Sequence, residues 1–259
     1  MYLKSNIVFC STHIGNERDT PSYLKDLLYS ADLVVLENEN MLDKINLKIK
    51  NESEIICVYP KSLNNFKFDE LIEEKQLILD ESLKTAIHKF QEYANKNCKI
   101  ALLSDEGSSL IADFGNYFRN YCILNNLKYE VMAGPSAVIN SICSSGFVGD
   151  LDLFTFFGPR FSKKQIDVFI NIVNSGLADN PGIVFMNQDN CLYLIEKLID
   201  KLGDISGWLC MDLTTEKETV VGDSLLIIKD YIKNNLHETK YKASLVFVNK
   251  SLDLNHVYR

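Results

Sequence analysis

The chain has 259 residues, 46% of them hydrophobic and 24% charged, with 27 basic against 35 acidic side chains for a formal net charge of −8. That length and balance suit one large or two modest globular domains and exclude a disordered chain. No apolar run approaches the roughly eighteen residues of a membrane span, so a cytoplasmic protein with no membrane partner is expected, and the negative charge repels a phosphate backbone unless basic residues gather locally.

Short apolar runs alternate with amphipathic stretches along the whole sequence, which predicts an α/β fold. Ile7 to Ser11 reads as a strand that ends in the turn Ser11-Thr12-His13-Ile14-Gly15-Asn16. Gly15 lets a ligand approach the backbone or serves the turn alone, and the two readings weigh equally. His13 has no carboxylate nearby in sequence and reads as a loop residue. Thr20-Pro21 predicts an N-cap with proline in the first turn of a helix that places Leu24, Leu27, Leu28 and Ala31 on one face. Strands are expected at Leu33 to Glu37 and Ile55 to Tyr59. The Asn/Lys-rich residues 38 to 53 between them read as a solvated loop or edge.

A helix then carries Leu83, Ala86, Ile87, Phe90, Tyr93 and Ala94 inward. Lys99 to Leu103 is short and apolar, as a central parallel strand should be. It runs directly into Ser104-Asp-Glu-Gly-Ser-Ser-Leu-Ile-Ala-Asp-Phe-Gly115, which sets a carboxylate, Asp105, and a glycine, Gly107, where open α/β sheets bind their ligands. A strand at Lys128 to Met132 follows, and Ala133-Gly134-Pro135-Ser136-Ala137 turns into a helix carrying Val138, Ile139 and Ile142. The pattern resets there, so a domain boundary is expected near Gly134, with domains 1–133 and 134–259 packed about a cleft. Later strands are expected at Leu153 to Phe157, Gly182 to Met186, Ser206 to Leu213 and Ala243 to Asn249, the last two as an antiparallel pair.

Several chemistries lack sequence support. The seven cysteines, Cys10, Cys57, Cys98, Cys122, Cys143, Cys191 and Cys210, are odd in number and form no C-x-x-C, so they read as reduced, buried, small hydrophobes rather than zinc ligands or a nucleophile. Neither G-x-G-x-x-G nor G-x-x-x-x-G-K-[ST] occurs, which argues against a standard dinucleotide enzyme or a nucleotide hydrolase.

Three separated segments coincide with one family. Ser11 to Asn16 resembles A-T-P-I-G-N, Ser104 to Gly115 resembles S-D-A-G-T-P-L-I-S-D-P-G, and Gly134 to Ala137 matches G-P-S-A, followed by an apolar helix ending Ser144-Ser145-Gly146-Phe147. In order and spacing these resemble the tetrapyrrole methylase superfamily of S-adenosylmethionine-dependent enzymes, and within it the branch of ribosomal RNA small subunit methyltransferase I. With Leu213-Thr214 echoing a later E-L-T-K, the resemblance runs from about Ile7 to Asn249. It implies a two-domain α/β methyltransferase, usually a homodimer, with an N-terminal parallel-sheet domain, a C-terminal mixed-sheet domain and S-adenosylmethionine in the cleft. By motif position, Asp105, Gly107, Ser108 and Ile111 would line the cofactor, Ser136 and Ala137 would approach its other side, Asp212 and Leu213 would lie near its adenine, and Thr12, Ile14 and Gly15 would form the cleft floor. A carboxylate suits the sulfonium and amino cations. Helix capping is a compatible reading of Asp105 and an equal one for Ser136. Glu37 matches the glutamate of A-E-D-T-R and is the candidate for substrate contact or base, with a solvated strand-end charge as the competing reading.

The departures gather on the substrate side. E-D-T-R is here Glu37-Asn38-Glu39-Asn40, without the arginine, and E-S-P-H-R is Asn187-Gln188-Asp189-Asn190-Cys191, without a basic residue. The prolines of the central motif are Ser109 and Phe114. Arg160, Lys163 and Lys164, near the family's G-F-L-P-R-K, are the remaining candidate substrate-binding cluster, although the solvated start of a helix is the more frequent explanation of such a run. The expectation is a methyltransferase close to the ribosomal RNA 2′-O-ribose branch, with the small ribosomal subunit as partner. The alternatives are an enzyme of the same fold acting on a small molecule or peptide, and a cofactor-binding regulator that has lost catalysis.

Overall fold

Wholly apolar four-residue strands must be covered on both faces, and the first half of the chain does this with an all-parallel sheet. The computed structural model describes residues 4–38, 40–50, 52–58, 81–149, 153–158, 163–174, 180–186, 190–235 and 243–248. The chain divides into two compact units, Met1–Ser136 and Ala137–Arg259.

In the first unit, β1 (Ile7–Cys10), β2 (Leu33–Leu36) and β4 (Ile100–Leu103) are buried at every residue, while β3 (Glu54–Cys57) and β5 (Glu130–Met132) are partly exposed. The strand order β3-β2-β4-β1-β5 explains the difference, because the two partly exposed strands are the edges. Period-two alternation sorts the central side chains between two cores. Phe9, Val35 and Leu102 pack with Phe90, Phe114 and Phe118 on one face. Val8, Val34, Ala101 and Leu103 pack with Leu24, Leu27 and Leu28 on the other. The first face is covered by α3 (Glu81–Asn95) and α4 (Gly115–Leu124), and the second by α1 (Tyr23–Ser30) and α2 (Asn40–Ile45).

In the second unit the strand order is β6-β7-β10-β8-β9. The strands are β6 (Thr155–Phe157), β7 (Gly182–Met186), β8 (Ser206–Met211), β9 (Thr219–Ser224) and β10 (Ala243–Phe247). Only β6 and β7 pair in parallel, so the sheet is mixed, and β8 pairs antiparallel with β10 as the sequence predicts. The helices α6 (Lys163–Asn174), α7 (Cys191–Leu202) and α8 (Leu225–Asn235) cover one face. On the other, Val138 and Ile142 of α5 (Ala137–Ser144) pack with Ile183, Trp208 and Val246. A parallel α/β sheet followed by a mixed sheet is the expected fold class.

Some local expectations are corrected. Helix α1 begins at Tyr23 with Ser22 at its N-cap, and Thr20 instead closes the short 3-10 turn Glu17–Asp19. The Asn/Lys-rich stretch contains α2, because Met41 and Ile45 fall on one face and are buried. Ile139 of α5 is exposed. The strands at 128 and 153 start two residues late, at Glu130 and Thr155. Strand β9 is absent from the sequence reading since Gly222 and Asp223 disfavour a strand. Gly222 is required there, because a Cβ would run into the indole of Trp208 on the neighbouring strand. All seven cysteines are free, but only Cys10, Cys122, Cys191 and Cys210 are buried, and Cys143 is exposed. Burial raises the Cys10 thiol and pushes those of Cys122 and Cys210 up to about 12, which leaves them protonated and unreactive at neutral pH.

Candidate functional site

Two adjacent strands, β1 and β4, send their chains to opposite faces of the parallel sheet. From β1 the chain passes through α1 to β2, and from β4 it passes through α4 to β5. Such a divergence is the topological switch point at which open sheets hold ligands, beyond the carboxyl ends of the strands. The segments Ser11 to Asn16 and Ser104 to Gly115 both lie there.

The backbone joins these two loops. Thr12 N–H donates to the Gly107 carbonyl at 3.0 Å, Gly107 N–H donates to the His13 carbonyl at 3.1 Å, and Ser104 N–H donates to the Cys10 carbonyl at 3.0 Å. The Thr12 hydroxyl adds a bond to the Ser104 carbonyl at 3.1 Å. Gly107 sits at φ +71, a left-handed conformation that favours glycine. Ser108 Oγ donates to the Pro135 carbonyl at 2.9 Å, which draws in the loop after β5. Ser11 Oγ ties the same three segments, accepting from Ser109 N–H at 3.2 Å and donating to the Met132 carbonyl at 2.9 Å. The loops pass so closely that a Cβ on Gly134 would overlap the Cβ of Ser11.

The carboxylate of Asp105 does not cap the following helix. Its Oδ1 accepts from Asn38 Nδ2 at 3.3 Å and lies 3.4 Å from Lys44 Nζ. Glu37, half-buried at the end of β2, therefore stands beside the residue that holds Asp105. Asp113 has the local role instead, accepting from Gly115 N–H at 2.6 Å where α4 begins. Leu110 and Ala112 both have positive φ, +70 and +53, so the loop holds strained non-glycine backbone of the kind found at ligand sites. His13 is buried, and its Nε2 donates to the Lys44 carbonyl at 3.2 Å.

The structure thus brings together Thr12, Ile14, Gly15, Glu37, Asp105, Gly107 and Ser108 on one edge of the first unit. Ile111 lies farther along the same loop, 47% exposed. Ser136 ends the first unit and Ala137 opens α5 of the second. Also in the second unit, Asp212 follows β8 at φ +46, and its carbonyl accepts from the amide and hydroxyl of Thr215. Leu213 is buried against the core that contains Val138 and Trp208. Arg160 falls outside the described residues, as do the side chains of Lys163 and Lys164 at the start of α6. Sequence reasoning missed Asn38, Lys44 and the hydroxyl of Ser11. The only available signal was for Lys44, which follows Asn40 by one helical turn once α2 is recognised.

No protein-family model matches the chain. Two proteins named ribosomal RNA small subunit methyltransferase I are similar to it. The one from Mesomycoplasma conjunctivae is 26% identical over 246 residues, covering 94% of this chain and 91% of that protein. The one from Pasteurella multocida is 25% identical over 179 residues, covering 66% of this chain and 60% of that protein. Among solved structures, the methyltransferase CobJ superposes with a TM-score of 0.65 at 11% identity, covering 95% of each chain. The uroporphyrin-III C-methyltransferase of Thermus thermophilus, crystallised with S-adenosylhomocysteine, gives 0.61 at 12% identity, covering 93% of this chain and 96% of that one. The chain has the tetrapyrrole methylase fold and is a distant homologue of ribosomal RNA small subunit methyltransferase I.

Proposed function

We propose that this protein is an S-adenosylmethionine-dependent methyltransferase that modifies small-subunit ribosomal RNA. The observation that carries the reading is the Asp105 loop, joined by backbone bonds to the Thr12 loop at the switch point of a sheet with the methylase fold. The site suits the cofactor chemically. A half-buried carboxylate that already accepts an ammonium group, that of Lys44, can accept a cofactor cation in its place. When bound there, S-adenosylmethionine would supply an electrophilic methyl group for in-line transfer to the acceptor, leaving as S-adenosylhomocysteine.

The chain's own residues bind and align. Asp105 supplies the charge complement, Gly107 gives a backbone approach without a side chain, and Thr12, Ile14, Gly15 and Ser108 shape the loop floor. Ile111 offers an apolar surface. In the second unit Ala137, Asp212 and Leu213, with Ser136 just before it, are the further candidates for cofactor contact. Glu37 receives the acceptor's proton as the new bond forms. The RNA acceptor is supported by relatives bearing the ribosomal RNA methyltransferase name across nearly the whole chain. Against it stand the net charge of −8 and Asn40 in the place of an arginine, which favour a small-molecule or peptide acceptor as the second reading.

The test is incubation with methyl-labelled cofactor and ribosomal subunits from a strain lacking the protein. Label in small-subunit RNA is expected, and Glu37→Gln should lower the rate about a hundredfold. Label confined to a small-molecule or peptide fraction would replace the acceptor. Cofactor binding without transfer to any fraction would leave a regulator.

A further inference from the structure

Helix α2 presents a cation to the acidic edge of the site. Lys44 Nζ stands 3.4 Å from Asp105 Oδ1 and 3.9 Å from Glu106 Oε1. The helix beneath it is fixed. Met41 and Ile45 are buried on the sheet, and the Lys44 carbonyl is held by buried His13 at 3.2 Å. The lysine tip is not fixed in this way, since its side chain is 43% exposed against 27% for that of Asp105. An ion pair so open to water is weak and exchanges readily. Asn38 Nδ2, 3.3 Å from the same Oδ1, keeps the carboxylate in place if the lysine leaves.

Two cations cannot share one carboxylate oxygen without repelling each other. We propose that Lys44 is a shared cation, paired with Asp105 in the free protein and turned to a phosphate of the RNA acceptor when a cationic group of the cofactor takes the carboxylate. The proposal rests on the methyltransferase reading above. It accounts for how an acidic protein without an arginine at Asn40 presents positive charge at its site, because positions 40 and 44 share one helical face. It also orders the ligands, since cofactor binding frees the group that holds RNA, and the two affinities must then be linked reciprocally.

The test measures binding, with no turnover required. The affinity of a fluorescent single-stranded RNA oligonucleotide is measured with and without saturating S-adenosylmethionine, and again with S-adenosylhomocysteine, at low and moderate salt. In the native protein and in Lys44→Arg, RNA should bind about tenfold more tightly with at least one of the two present. In Lys44→Met that coupling should vanish and the salt dependence should shallow by about one phosphate contact. Calorimetry of Lys44→Met should show cofactor affinity equal to or several-fold above native, because the competing ammonium is gone. Coupling that persists in Lys44→Met, or weaker cofactor binding by it, would overturn the proposal alone. RNA binding in neither state would overturn it together with the RNA acceptor. Failure of the native protein to bind either cofactor form would overturn the methyltransferase reading itself.

Discussion

At the residue scale the site depends on small polar groups whose partners are distant in sequence. Ser11 stands where the family motif has alanine, and its hydroxyl joins Ser109 and Met132, which are 98 and 121 positions away. Its backbone is held in turn by Tyr23, whose hydroxyl accepts from Ser11 N–H at 3.1 Å and lies 3.3 Å from the Ser11 carbonyl. Ser11→Ala should cost about 1–3 kcal/mol, because it leaves an amide and a carbonyl without their hydroxyl partner. Urea denaturation should show a lower midpoint with an unchanged slope. Motif reasoning from the sequence points to Asp105, Gly107 and Thr12, since these stand at the spacing of the motifs they resemble. It did not find Ser11, Asn38 or Lys44, whose roles exist only once β1, β2, β4 and α2 are side by side.

At the element scale, strand positions were legible because burial on both faces leaves an unbroken apolar run. Helix α2 and strand β9 were not, because one is short and rich in Asn and Lys, and the other contains a glycine demanded by Trp208. A titratable link joins the edge strand β3 to α3. Tyr93 Oη donates to Glu54 Oε2 at 2.8 Å, and Lys89 Nζ lies 3.1 Å from Oε1. The Tyr93 bond first, then Lys89, lowers the Glu54 carboxyl below its ordinary value. The same carboxylate pushes Tyr93 up to about 12. The lowered acid contributes stability above its unfolded pKa, and that contribution is lost as pH falls through the folded value. The raised phenol contributes fully below its ordinary value of 10.0 and loses that contribution as pH rises toward about 12. Stability measured by urea denaturation across pH should therefore decline at both ends, and Tyr93→Phe should flatten the alkaline decline and lessen the acidic one. An unchanged profile in Tyr93→Phe would contradict the link.

At the scale of the whole molecule, alternating apolar and amphipathic segments were enough to predict two α/β portions, because each segment's periodicity reports the layer it must cover. Composition alone pointed away from nucleic acid, and motif register pointed back toward it. A net charge of −8 describes the whole surface, whereas recognition depends on the few groups at one edge. Among the described residues, Lys44 is a cation held against the acidic loop, and its place there could not be read from a sum of charges. Binding of S-adenosylmethionine at this edge, through the Asp105 loop, is open to titration calorimetry of the native protein. Saturable one-to-one binding is predicted, weakened about tenfold to a hundredfold in Asp105→Asn, the loss expected on removing a charged hydrogen-bond partner. No binding of S-adenosylmethionine or S-adenosylhomocysteine by folded protein, or equal affinity in Asp105→Asn, would contradict it.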